Sequence, residues 1–398
     1  MDFTLHRSTL TPGFSHRLVK LVFSIALGVV VMSAQATTQG TQMIHQYPSA
    51  SLSHYGYLSD KTAVSKVTLT NKHGIEVDVI SYGGIITRIT TPDNKGQMAN
   101  IVLGMDDIHA YESANPYYGA IIGRYGNRIA NGRFTLEGVD YQLGQNDGDN
   151  HLHGGHNGFD RKNWAMVPFT TENSSGVTLS YVSPDGDQGY PGTLDMQVVY
   201  TLTNNNTLDM KFSATTDKTT IVNMTQHSYF NLAGGGSILD HQLRIPSDSI
   251  TPVDSGLIPT GELMPVAGTP FDFRDFKTIG QDINTNHEQM ARGKGYDHNF
   301  VIKADIDDEL IEAATVVEPT SGRQLTVLTD EPAVQFYSGN FMDGSTSRDG
   351  KPFDFRTGFC LEPQHYPDSP NQPAFPSTTL SPGEQYQIRI VYAFDVVK

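Results

Sequence analysis

Apolar and polar residues alternate one by one along most of this chain. Leu194, Met196, Val198, Tyr200 and Leu202 are separated by Asp195, Gln197, Val199 and Thr201. After Asn204-Asn205-Asn206 the alternation resumes at Leu208, Met210, Phe212 and Ala214. A period of two puts successive side chains on opposite faces of a strand, one face inward and one outward. Asparagine tolerates the left-handed turn, so the pair reads as a hairpin. A second hairpin joins Val64–Thr70 to Ile75–Ser81 through Asn71-Lys72-His73-Gly74, and a third folds Arg133–Leu136 onto Val139–Leu143 across Glu137-Gly138. The run Tyr386, Ile388, Ile390, Tyr392, Phe394 is again strand-like. Helical signals are few and short, the best being Asp106–Ala114 and Gln281–Arg292. Strands divided by turn signals, without strand–helix alternation, predict an all-β fold: a large antiparallel β-sandwich with few short helices.

The N-terminus has a different pattern. Arg7, Arg17 and Lys20 precede the apolar run Leu21 to Met32, and Ser33-Ala34-Gln35-Ala36 follows. This three-part arrangement is that of a secretory leader over residues 1–36. The apolar run is too short for a comfortable membrane anchor, and no later segment is long enough to span. Export to the periplasm or the medium is therefore expected, with no membrane association once the leader is removed. Residues 37–58 read as a flexible arm, and 59–398 as one domain without internal repeats. Cys360 is the only cysteine. It cannot form an internal disulfide, so a large core must stabilise an exported chain of this kind.

Charge narrows the function. The chain carries 27 Lys+Arg against 43 Asp+Glu, a formal net charge of −16. Such a surface repels phosphate backbones, which argues against nucleic-acid partners. Dinucleotide and phosphate-loop glycine signatures and the serine-hydrolase elbow are missing. The turn at Asp147 and Asp149 continues into His151 without the bidentate glutamate of a calcium loop.

Three polar clusters remain: Gly123–Ile129, His151–His156 and Thr225–Asn231. Two isolated carboxylates, Asp272 in Phe271-Asp272-Phe273-Arg274 and Glu362 in Phe359-Cys360-Leu361-Glu362, sit inside apolar strands. His151, His153 and His156 have the side chains of zinc ligands, but no cysteine cluster or His-Glu-x-x-His accompanies them. Taken alone, Arg128 reads as an anchor for a surface carboxylate, His227 as a structural histidine and Asp272 as a turn cap. Glu362 resists so plain a reading, because buried carboxylates are rare unless paired.

At these residues the sequence resembles the aldose 1-epimerase (galactose mutarotase) family. The resemblance is carried in order by Gly123-Arg124-Tyr125-Gly126-Asn127-Arg128-Ile129-Ala130-Asn131-Gly132, Leu152-His153-Gly154-Gly155, Ser183–Gly192, His227–Gly234, Gly268–Arg274, Tyr296-Asp297-His298-Asn299-Phe300, Gln335–Asn340 and Phe359–Gln364. It extends from about Val64 to the C-terminus. It implies a supersandwich with a sugar cleft on one sheet, Glu362 as general base and His227 as general acid. Asn127, Arg128, His153, Tyr229, Asp272 and Gln335 would bind the sugar. It implies a free aldohexose such as glucose or galactose as substrate, no cofactor, no metal, and a monomer or homodimer. Tyr125-Gly126 and Pro363 depart from the commoner family residues without removing a proposed catalytic group. Three rival readings are a glycoside hydrolase using Asp272 with Glu362, a non-catalytic sugar-binding sandwich, and a sugar-phosphate epimerase, for which the acidic chain offers no visible Lys/Arg cluster.

Overall fold

In the computed structural model the alternating segments become antiparallel strands, and the described residues are 47–114, 116–302 and 310–398. The predicted leader lies outside them. Three large sheets organise the chain. A five-stranded meander runs in sequence order from Ser49–Tyr57 through Ala63–Thr70, Glu76–Ile80 and Ile86–Pro92 to Met98–Asn100. A nine-stranded sheet has the long hairpin Leu194–Thr203/Thr207–Thr216 near one end and Tyr386–Val396 at its middle. The six-stranded sheet has the order Tyr229–Phe230, Phe359–Gln364, Ala333–Tyr337, Asp297–Val301, Ser249–Thr251, Met264–Pro265.

The alternation read from the sequence defines the core. Leu194, Met196, Val198, Tyr200 and Leu202 are all buried, and in register across the hairpin so are Leu208, Met210, Phe212 and Ala214. Ile388, Ile390, Tyr392 and Phe394 continue this inner face across the next strand. They belong to the same apolar cluster as Phe230, Phe336, Phe359 and Leu361 of the six-stranded sheet. The Phe230 and Tyr392 rings meet edge to face at 5.1 Å, joining the two layers. One face of the six-stranded sheet is thus committed to the core, and its other face is free to carry chemistry.

The predicted hairpins form in the expected places. In the tight one, Glu137 and Gly138 have φ of 51° and 78°, the pair of positive values that a two-residue hairpin turn requires. Three expectations change. Residues 49–57, expected within a flexible arm, form an edge strand paired with Ala63–Thr70. Its side chains are mostly exposed, so backbone hydrogen bonds rather than an apolar pattern hold it, and alternation gave no signal. The helix expected over Gln281–Arg292 is confined to Glu288–Gly293. Asp282 and Asn284 lie in a turn, where short polar side chains compete with helical hydrogen bonding. His287 then caps the helix by accepting the Gln289 N–H. The other helix, Ile108–Ala114, starts two residues late because Asp107 caps it, accepting from the Ala110 N–H at 3.0 Å. Among the described residues, no helix is long and apolar enough to cross a membrane.

Ile390 is fully buried on a strand paired on both sides. Truncation to alanine removes packing from both layers, and Ile390→Ala should cost about 2–5 kcal/mol of unfolding free energy. Urea titration followed by fluorescence measures this, and a loss under about 1 kcal/mol would contradict the packing described.

Candidate active site

The free face of the six-stranded sheet carries the site. On strand Phe359–Gln364, alternation sends Phe359 and Leu361 into the core and Cys360, Glu362 and Gln364 to the other side. Antiparallel register places Gln335 opposite Glu362 and Tyr337 opposite Cys360. The next strand adds Asn299 opposite Gln335 and Asp297 opposite Tyr337. Core-facing Phe336 and Phe300 lie between these polar positions, so the same two-residue period that builds the core sorts the polar row. The row is buried: Glu362, Gln335 and Asn299 are each 4% exposed or less. Glu362 Oε2, Gln335 Oε1 and both amide atoms of Asn299 have no hydrogen-bond partner within the protein. Buried polar atoms are nearly always paired, so the unpaired oxygens of Glu362 and Gln335, which both line a cleft, mark a surface suited to a polar ligand.

Two shorter strand pairs bring in the histidines. Strand Thr225–His227 pairs with Ala120–Ile122, and the Gly119 N–H donates to the His227 carbonyl at 2.9 Å. His227 Nε2 then lies 3.6 Å from Glu362 Oε2. Its ring stacks on Tyr229 at 5.1 Å and meets the edge of His153 at 5.1 Å. The Tyr229 hydroxyl donates to the Pro116 carbonyl, so this tyrosine supports the imidazole from behind. Strand His151–Leu152 pairs with Arg128–Ile129. The next residue, His153, exchanges two bonds with Asn127: its N–H donates to the Asn127 carbonyl, and its Nδ1 accepts the Asn127 N–H at 3.1 Å. Asn127 and His153 both have left-handed backbones, with φ of 61° and 51°. Gly154 follows because a Cβ there would stand 1.8 Å from the Gly123 carbonyl oxygen. Arg128 is oriented by a 2.8 Å bond from its Nε to Asp147.

Burial dominates the electrostatics. It pushes His227 down to about 4 and His153 well below the usual histidine range, the latter aided by His227 and Arg128. It pushes Glu362 well above the usual carboxylate range, with Asp297 adding to the rise and Arg128 opposing it. Asp297 is itself raised by burial, against Arg128 and the 2.8 Å bond from Gln335 Nε2. Each shift follows the rule that a dry site disfavours the charged form.

Seven of the residues singled out in the sequence line one cleft of about 700 Å³: Asn127, Arg128, His153, His227, Tyr229, Gln335 and Glu362. Asp272 is not among them. Phe271 and Phe273 enter the core, and Asp272 between them turns outward into a bidentate pair with Arg274 at 2.9 and 2.8 Å. It lines a separate surface depression with Asp275 and Lys277. Asp147, Asp149, Asp254 and Asp297 line the cleft beside Glu362, and of these Asp297 belongs to the six-stranded sheet and accepts from Gln335. Its motif, Tyr296-Asp297-His298-Asn299-Phe300, shows the same lone acid in an apolar strand, the signal that drew attention to Asp272. Only strand register tells the two apart. Tyr117 and Phe341 also line the cleft and carried no sequence signal of their own.

Comparison with known proteins agrees with this geometry. A family model described as aldose 1-epimerase matches residues 65–393. The galactose mutarotase of Bos taurus is 45% identical over 325 residues, covering 81% of this chain and 92% of that protein. The chain belongs to the aldose 1-epimerase family. An aldose 1-epimerase of Escherichia coli K12 is 41% identical, over 82% of this chain and 94% of the relative. Among solved structures, a galactose 1-epimerase from Lactobacillus acidophilus NCFM superposes with a TM-score of 0.78 at 29% identity, covering 88% and 99% of the two chains. The aldose epimerase homologue from C. elegans gives 0.75 at 27%, covering 88% and 100%.

His153, His227 and Glu362 also converge closely enough to suggest a cation site, their ligand atoms lying within 4.8 Å of one another. The donor set argues otherwise. His153 Nδ1 accepts a backbone N–H, so in the neutral ring the hydrogen sits on Nε2 and that atom offers a donor, not a lone pair. Such a donor suits a hydroxyl or ring oxygen.

The epimerase should therefore depend on Asp297 and not on Asp272. Asp297→Asn is expected to raise KM for a free hexose about tenfold or more, as loss of a charged hydrogen-bond acceptor does. Asp272→Asn should leave kcat/KM within about twofold, as for a surface ion pair. Parallel polarimetric kinetics on both variants decide the point, and the reverse ranking would remove Asp297 from the site.

Proposed function

We propose that the protein interconverts the α and β anomers of free aldohexoses by opening the ring between His227 and Glu362. The observation that carries this reading is the 3.6 Å separation of Nε2 and Oε2 inside a cleft walled by buried hydrogen-bonding groups. Ring opening needs a base for the O1 proton and an acid for the ring oxygen. Glu362 as carboxylate removes the proton from O1 while His227 as imidazolium protonates O5 and the C1–O5 bond breaks. The aldehyde then turns about C1–C2. In closure His227 takes the proton back from O5 as that oxygen attacks C1, and Glu362 returns its own to O1. The protein ends unchanged, so no redox carrier or energy source enters.

The opposite shifts of the pair serve this step. Burial makes Glu362 a stronger base and His227 a stronger acid than either would be in water. The pair holds one proton in all. Its neutral arrangement, favoured by burial, is the one the protein reaches when the sugar is open, which favours opening. Arg128 opposes the rise at Glu362 and so keeps the ionised arrangement within reach. Arg128, Asn127, His153, Gln335 and Asp297 hold the sugar, His153 through its Nε2–H.

We also infer that the chain is exported. Arg7, Arg17, Lys20, the run Leu21 to Met32 and the small residues ending at Ala36 support a cleaved leader. Mass measurement of the protein from exporting cells should give a chain beginning at Thr37, and retention of residues 1–36 would refute cleavage.

Two kinetic outcomes test the chemistry. Glu362→Gln and His227→Asn should each lower kcat for freshly dissolved α-glucose or α-galactose by roughly 10²- to 10⁴-fold with the fold intact. Near-native turnover in either would exclude that residue. The pH profile follows from the pair. As pH falls through about 4 the pair takes a second proton at His227 and loses its base, so kcat/KM drops there. As pH rises through the raised value of Glu362 the pair loses its only proton and with it the acid. After subtraction of spontaneous mutarotation the acid limb should therefore lie near pH 4, and an acid limb centred on an ordinary histidine value near 6.5 would refute the assignment.

A further inference from the structure

Behind His227 lies the chain's one cysteine. Cys360 is fully buried, two residues before Glu362 on the same strand and the same face. Its Sγ stands 3.6 Å from His227 Nδ1, the nitrogen turned away from Glu362. The strand register that sets Glu362 opposite Gln335 also sets Cys360 between Tyr229 and Tyr337. One short strand therefore supplies both the base and the group that backs the acid. The other groups around the imidazole are its own backbone carbonyl, which opposes the fall that burial causes, Tyr229 on one face, Tyr117 at 5.8 Å, the edge of His153 and Glu362 itself. Tyr118, Tyr337, Tyr392 and Asp297 lie near the thiol on neighbouring elements. Burial, with Glu362 and Asp297, pushes the thiol well above its ordinary range, so it stays protonated.

The inference rests on His227 acting at Nε2 as described above. When the sugar is open, His227 is neutral and must keep a hydrogen on Nδ1 so that Nε2 has a lone pair for the returning proton. Which nitrogen keeps the hydrogen is set by the partner of the other one. A carboxylate at Nδ1 would hold it firmly but would also stabilise the imidazolium and weaken the acid. Sulfur is a weak acceptor. We propose that Cys360 is a positioning residue for His227: its sulfur accepts the Nδ1–H, fixing the tautomer that leaves Nε2 free to carry the proton, without making the imidazolium a weaker acid.

Proton-coupled ¹⁵N spectra of the histidine-labelled enzyme, with His227→Asn identifying the resonance, read the tautomer in the native protein. A neutral Nδ1–H form at pH 7 is expected. An Nε2–H form would mean that the thiol donates instead, and would overturn the proposal. Kinetics give the second readout. Cys360→Ala should lower kcat about tenfold or more, the usual cost of losing a partner that orients a reacting imidazole, with KM within about twofold. Cys360→Ser replaces a weak acceptor with a stronger one, so it should retain more kcat than the alanine variant and move the acid limb to higher pH. A purely packing role would lower the melting temperature of Cys360→Ala while leaving kcat and the acid limb native, and that result would also overturn the proposal. If His227→Asn retained turnover, the assignment of the acid would fail instead, and the two failures are distinguishable.

Discussion

The site depends on a single sheet being asked to do two opposite things. On strand Phe359–Gln364, side chains one residue apart face either a packed aromatic core or a row of buried polar atoms. The sheet's hydrogen-bond ladder allows this because it satisfies the backbone regardless of what each face carries. A one-residue slip of Ala333–Tyr337 against Phe359–Gln364 would send Phe336 into the cleft and Gln335 into the core. The aromatic packing of Phe336 with Tyr296 and Phe273 therefore fixes the position of Gln335 as firmly as any contact of its own.

Burial of the polar row also sets its chemistry. Water would level Glu362 and His227 toward their ordinary strengths. In the dry cleft the two move apart in the direction the proposed ring opening needs, and the same desolvation keeps Cys360 a thiol and His153 neutral. Stability and function pull against each other here, since unpaired buried polar atoms cost free energy. The nine-stranded sheet and its core, with the long inner row from Leu194 to Phe394, offset that cost from the opposite layer.

The loops that close the cleft are held by backbone geometry. Tyr117, Asn127 and His153 all line it with left-handed backbones. Non-glycine residues reach that region at a cost of about 1–3 kcal/mol and hold it where surrounding contacts impose it. The paired bonds between Asn127 and His153 are one such contact. They make the histidine a fixed donor and not an adaptable ligand.

Period-two patterning by itself determined that the chain is built of strands, where its main hairpins turn, and which residues form the inner rows, because alternation on a strand is a local consequence of geometry. A lone carboxylate inside an apolar run drew attention to Glu362, glycine-bounded polar clusters to Asn127, Arg128, His153 and His227, and the family resemblance assigned their roles and added Tyr229 and Gln335. What patterning could not separate was Asp272 from Asp297, since each is one acid among aromatics. Nor did it reveal the exposed edge strand Ser49–Tyr57, which is held by its backbone. Tertiary structure alone decided these, because which carboxylate faces the cleft depends on strand register and sheet order, set by contacts between segments far apart in the chain. The 3.6 Å contacts of His227 with Glu362 and with Cys360, across more than a hundred residues, exist only once those sheets have closed.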